Sequence, residues 1–170
     1  MLEPARPPLA DHFTQVFRQE HRGLRDGLLE LSDAFTARDL PRIRQVLHAV
    51  AAASGPHFRY EEESLYPGLT RIFGWEYVGK LLTDHDRVIT AARRLVALAE
   101  QSELTPAEAV EAVRLVRSIL PHVSDCDGLS IMVERFSESH IRAVLESREM
   151  AIGDGHDLFT WADRLRPRAA

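Results

Sequence analysis

The chain has 170 residues, 45% hydrophobic and 28% charged, which fits one ordinary globular domain that buries about 70% of its unfolded surface. A formal net charge of −5, with no basic run along any helical face, removes the electrostatic basis for phosphate tracking and so excludes nucleic acid as the partner. The single cysteine, Cys126, has no internal disulfide to form, and the start MLEPARPPLADHF carries no apolar run for a signal peptide or membrane span, so no membrane association and a cytoplasmic location are expected. Eight histidines are the unusual feature, because a domain of this size needs that many only if some of them bind something.

Strand signals are nearly absent: no apolar–polar alternation is sustained, and no Asn-Gly or Asp-Gly turn joins β-branched runs. Helical periodicity fills the chain instead. After a proline-rich leader over 1–8, a first helix is predicted from about Leu9 to Ala37, with a stripe at Phe13, Phe17, Leu24, Leu28, Leu31 and Phe35 that is interrupted at His21. A second starts at Asp39-Leu40-Pro41, a cap followed by a first-turn proline, and its stripe runs Ile43, Leu47, Val50, Ser54, His57, Glu61, Leu65 to a stop at Tyr66-Pro67-Gly68. The third follows Phe73-Gly74, with Trp75, Val78, Leu82, His85, Ile89, Ala92, Val96 and Ala99 in line. The fourth opens at Thr105-Pro106 with Glu108 at capping-box spacing, and carries Leu115, Ile119, His122, Cys126, Leu129, Val133 and Phe136.

Short connections between long amphipathic helices predict an all-α, up-down-up-down four-helix bundle over 9–136 with an appended C-terminal helical segment over 137–170. Gly55-Pro56-His57 and Leu120-Pro121-His122 form a weak internal repeat in which a proline precedes the histidine and a carboxylate follows about one turn later.

Each predicted helix thus places one histidine on its buried line: His21, His57, His85 and His122. Glu61 lies four residues after His57 on the same face, and Asp127 lies five after His122. Burying these carboxylates without a partner would cost several kcal/mol, which a bound cation removes. Imidazoles and carboxylates in this number exceed a tetrahedral zinc site and suit two six-coordinate first-row ions, iron ahead of manganese. The ferritin-like alternative needs Glu-x-x-His motifs, and none occurs. His12, His48 and His156 fall away from the stripes. His140 would stand about 27 Å beyond His122 along an unbroken helix, too far to share the centre unless the chain folds back.

The sequence resembles the haemerythrin-like, or HHE cation-binding, family in Gln19-Glu20-His21-Arg22, in His57-Phe58-Arg59-Tyr60-Glu61-Glu62-Glu63-Ser64-Leu65-Tyr66-Pro67, in Asp84-His85-Asp86, and in His122 with Asp127. The resemblance implies two iron ions with an oxo or hydroxo bridge inside the bundle. His21, His57, His85 and His122 would be terminal ligands, and Glu61 and Asp127 bridging carboxylates. Two positions depart from the family pattern. Oxygen-carrying haemerythrins typically have a further histidine four residues after that of the third helix, where this chain has Ile89, and relatives often have a glutamate at the place of Cys126. The missing imidazole leaves two coordination positions open rather than one, which favours a reactive or sensing centre over a reversible carrier. Tyr60 and Cys126 are candidates to act beside the ligands, while Glu62 and Glu63 leave the stripe for solvent, Glu62 as a reserve ligand.

The expected function is a non-haem di-iron protein that binds and turns over dioxygen-derived species, in peroxide or nitric oxide chemistry, with a small oxygen-derived ligand as partner. The alternatives are an oxygen- or iron-responsive sensor or interaction module and a reversible oxygen-binding protein. The 137–170 extension is a candidate homodimer surface.

Overall fold

The computed structural model describes residues 8–167, so most of the expected leader lies outside the described residues. Every regular element among them is helical. Helix α1 spans Leu9–Ala37 and buries the expected stripe with His21 in it. It ends at Arg38 in the left-handed region (φ 55°), which turns the chain directly into α2. Helix α2 (Leu40–Tyr60) is capped by Asp39, whose side chain accepts from the Arg42 amide, and contains Pro56.

The Tyr66-Pro67-Gly68 triplet does not stop this helix. A π-helical turn over Glu61–Leu65 follows α2 and leads straight into α3 (Tyr66–Phe73), with Pro67 in its first turn. Pro67 has no N–H to give and its ring would collide with the carbonyl four residues back, so the chain widens by one residue and continues. Gly74, at φ 80°, then makes the break to α4 (Trp75–Ala99). Trp75, expected on the buried stripe, is 74% exposed at the end of that helix.

Helix α5 (Pro106–Asp127) opens with the full Thr105–Glu108 capping box. It ends sooner than its stripe predicts, passing at Gly128 into a 3-10 segment over Gly128–Arg135. Glycine is a poor helix former, and the tighter coil still buries Leu129 and Val133. Ser137 caps α6 (Glu138–Asp154), and Asp157 caps α7 (Leu158–Arg164).

Helix α1 lies against both α2 and α5, and α4 lies against α5 and α2, so the four long helices close a ring. The chain folds back after α5: α6 packs on α2, α1 and the π turn, and α7 packs on α2 and α4. The apolar interior divides into two clusters. One holds Leu28, Leu31, Phe35, Phe58, Val88, Ile119 and Trp161, the other Phe13, Phe17, Tyr60, Tyr66, Leu81 and Cys126. On α1 the boundary between them falls at His21, and on α4 at His85, so the polar layer is sandwiched between two apolar ones.

Candidate metal centre

His21, His57 and Glu61 present ligand atoms that all lie within 4.8 Å of one another, and so do Glu61, His85 and His122. Glu61 belongs to both groups. Its Oε1 is 3.4 Å from His57 Nε2 and its Oε2 is 3.1 Å from His85 Nε2, so one carboxylate spans two triads drawn from α1, α2, α4 and α5. Glu61 is fully buried, and Oε1 has no hydrogen-bond partner. A buried carboxylate oxygen that makes no hydrogen bond and lies among imidazole nitrogens offers the donor set that a cation takes, so the residues fit a metal.

The outer ring nitrogens are also held. His21 Nδ1 donates to the Phe17 carbonyl at 2.9 Å, His57 Nδ1 to Glu20 Oε2 at 2.8 Å, and His85 Nδ1 to Glu62 Oε1 at 2.7 Å. Each acceptor fixes a proton on Nδ1 and aims the Nε2 lone pair inward, as metal-binding histidines require. Phe58 stacks on His85 at 3.8 Å and 10°, which fixes the ring plane.

The electrostatics follow from this layout. Burial opposes charge on His57, yet Glu61 and Glu20 hold its pKa up at about 9. Burial and the neighbouring His85 push His122 down to about 4. Burial likewise raises Glu61, but His57 and His85 overcome it and hold the carboxyl well below the usual range. Burial and the Glu61 charge push the Cys126 thiol upward, so it stays protonated.

Of the six expected ligands, Asp127 is the one outside both triads. Its Oδ1 is buried without a partner, its Oδ2 is 4.0 Å from Arg18 Nε, and it lines an open pocket with Arg18, His21, Arg22 and Arg25. Tyr60 lies on the outer side of His57, donating to Glu20 Oε2 at 2.7 Å. Cys126 Sγ is 3.6 Å from His122 Nδ1. Glu62 is not in solvent: its side chain is 7% exposed and it faces His85 and Arg166. Glu63 pairs with Arg59. His140 does fold back with α6, stacking on Phe136 at 4.4 Å, but joins neither triad.

Tyr66 was not foreseen. Its hydroxyl is 3.0 Å from His85 Nε2 and 3.3 Å from Glu61 Oε2. The π turn puts it there: the Tyr66 amide bonds to the Glu61 carbonyl five residues back. In an α-helix the fifth residue would point about 140° away. The signal was the Pro67 that forces the wider turn.

A closed ring of helices with two carboxylate-sharing histidine triads at mid-height defines a bundle-type metal-binding protein. The family model described as Hemerythrin HHE cation binding domain matches residues 12–142, and the chain belongs to that family. The family binds metal ions, typically iron, and the triads supply the residues fit to hold them. No curated protein and no solved structure matches the chain. No helix among the described residues is long and apolar enough to cross a membrane.

Proposed function

We propose that the chain is a di-iron protein that binds and turns over small dioxygen-derived species, with peroxide or nitric oxide as substrate, on an up-down-up-down bundle over 9–136. The observation that carries this is Glu61, shared between two histidine triads. His21 and His57 would hold one ion and His85 and His122 the other, with Glu61 common to both sets. Asp127 shares a pocket with His21 as a further carboxylate, and the Tyr66 hydroxyl, 3.0 Å from His85 Nε2, would offer an oxygen donor that Ile89 cannot.

Iron at this place contributes Lewis acidity and electrons. The protein contributes selection and dryness. An apolar cavity of about 40 Å³, lined by Leu28, Leu47, Val88 and Leu95 among others, reaches His122. Walls of this kind stay dry and admit a small apolar molecule. On its other side His122 borders an open groove between α4 and α5 that includes Thr83, Pro121 and Asp125, which gives a small ligand a route inward. Of the four histidines of the triads, His122 is the one that is only part-buried, so that route ends at the His85–His122 side of the centre.

Metal analysis with an absorption spectrum before and after hydrogen peroxide tests the reading. Two irons per chain and a visible band that responds to peroxide are expected, with reductant-dependent consumption of peroxide. Fewer than one iron per chain, or zinc alone, overturns it. Glu61→Ala should empty both positions together, whereas His21→Ala should leave roughly one ion per chain, because only Glu61 serves both triads.

A further inference from the structure

The two carboxylates that hold ligand histidines from outside are themselves held, each by an arginine from the C-terminal segment. Arg148 of α6 donates from Nε to Glu20 Oε1 at 2.5 Å, while Glu20 Oε2 accepts from His57 Nδ1 at 2.8 Å. Arg166, just past α7, donates from Nε to the two oxygens of Glu62 at 3.1 and 3.0 Å, while Glu62 Oε1 accepts from His85 Nδ1 at 2.7 Å. The two relays are chemically the same, guanidinium to carboxylate to imidazole, and each reaches one histidine of a different triad. Both arginines lie beyond residue 142, where the family match ends.

The segment that carries them is closely seated. A Cβ on Gly55 of α2 would fall 2.2 Å from the His156 carbonyl oxygen, so the α6–α7 loop rests on that glycine's backbone. Trp161 of α7 is fully buried and meets Phe58, the ring stacked on His85, at 6.4 Å. Arg166 lies over the Trp161 ring at 5.6 Å and also pairs with Asp86 at 2.5 Å, so its guanidinium is fixed from several sides.

We infer that the C-terminal segment is a working part of the metal centre: Arg148 and Arg166 are positioning residues that set, through Glu20 and Glu62, how strongly His57 and His85 donate to the ions. This rests on the two-iron reading. A carboxylate that accepts Nδ1–H makes the imidazole a stronger donor. A guanidinium on that carboxylate draws its charge away and moderates the effect. Removing the arginine therefore strengthens donation and favours the ferric state. Removing the carboxylate weakens donation and favours the ferrous state.

Potentiometric titration of the iron-loaded full chain, followed by absorption, separates these effects. Arg148→Gln and Arg166→Gln should lower the midpoint potential, and Glu20→Gln and Glu62→Gln should raise it. The Glu variants should also lose iron to a competing chelator about tenfold more readily. Arg148→Lys and Arg166→Lys keep the charge and should restore most of the wild-type potential. Asp154→Asn is the matched control, because Asp154 ties the end of α6 to Arg59 at 2.6 Å and touches no ligand histidine; it should leave the potential unchanged. The inference is overturned if the arginine variants do not shift the potential, if they shift it in the same direction as the glutamate variants, or if Asp154→Asn shifts it as much. A wild-type chain that takes up fewer than two irons instead sinks the two-iron reading, before any variant is compared.

Discussion

Glu61 and Tyr66 show how much depends on single side chains at the centre. Tyr66 is buried with its hydroxyl against His85 Nε2 and Glu61 Oε2, while Tyr60 faces outward onto Glu20. A phenolate on ferric iron gives a visible charge-transfer band, so Tyr66→Phe should abolish that band in the loaded protein and Tyr60→Phe should keep it. A band that survives Tyr66→Phe and vanishes with Tyr60→Phe would reverse the assignment. Protons set a second expectation. In the chain without metal His57 is held at about 9, so it carries a proton below that pH, and ligation must displace it. Iron affinity should accordingly rise about tenfold per pH unit from neutrality toward pH 9 on this group's account, then level off. Calorimetric titration in buffers of different ionisation enthalpy counts the proton released, and no release at neutral pH would contradict the expectation. His21, His57, His85, His122 and Glu61 were legible in the sequence because each interrupts an apolar stripe. Glu20 and Glu62 were not. Each adjoins a ligand in sequence but serves the histidine of another helix, and periodicity along one helix carries no information about a partner across the bundle.

Among the elements, starts and stops with local chemistry were legible: the Asp39 cap, the Thr105–Glu108 box and the Gly74 break stand where the sequence places them. The π turn and the 3-10 segment were not, since hydrophobic spacing alone does not distinguish these coils from a short stretch of α-helix. The seating of the C-terminal helices was equally hidden, because it depends on glycines that have no side chain to report a contact. Gly55 and Gly23 give opposite expectations from the same substitution. Ala at 55 would place Cβ 2.2 Å from one backbone atom and 2.5 Å from another in the α6–α7 loop, and neither can rotate away. Ala at 23, inside α1, meets nothing within 4 Å. Gly55→Ala should therefore destabilise by about 1–3 kcal/mol despite its better helix propensity, and Gly23→Ala should stabilise by up to about 1 kcal/mol. Urea unfolding midpoints compare the two, and a stabilised Gly55→Ala would mean that the loop does not rest there.

For the whole molecule, the centre is where the fold is joined to itself. Its ligand candidates come from α1, α2, the π turn, α4 and α5, and its outer carboxylates are gripped by Arg148 of α6 and by Arg166 after α7. Without a cation, Glu61 Oε1 lies in the interior between two apolar clusters, 3.4 Å from His57 Nε2 and with no hydrogen bond. The ion then binds the native arrangement and has no equivalent site in the unfolded chain, so loading adds directly to folding free energy. At free iron a hundredfold above its dissociation constant the gain is about 2.7 kcal/mol per site. For a chain of this length each kcal/mol moves the melting temperature by roughly 2–4 °C. Iron loading under anaerobic conditions should thus raise Tm by about 5–10 °C per occupied site at that excess, and chelation should reverse the rise. Glu61→Ala removes the shared ligand and, in the same step, the charge that faces His57 and His85. Its metal-free form should melt below the metal-free wild type at neutral pH, because His57 loses the charge that holds its proton, and it should gain little from iron. A Glu61→Ala chain that gains as much from iron as the wild type would show that the ions stabilise the bundle from somewhere other than the layer where its helices meet.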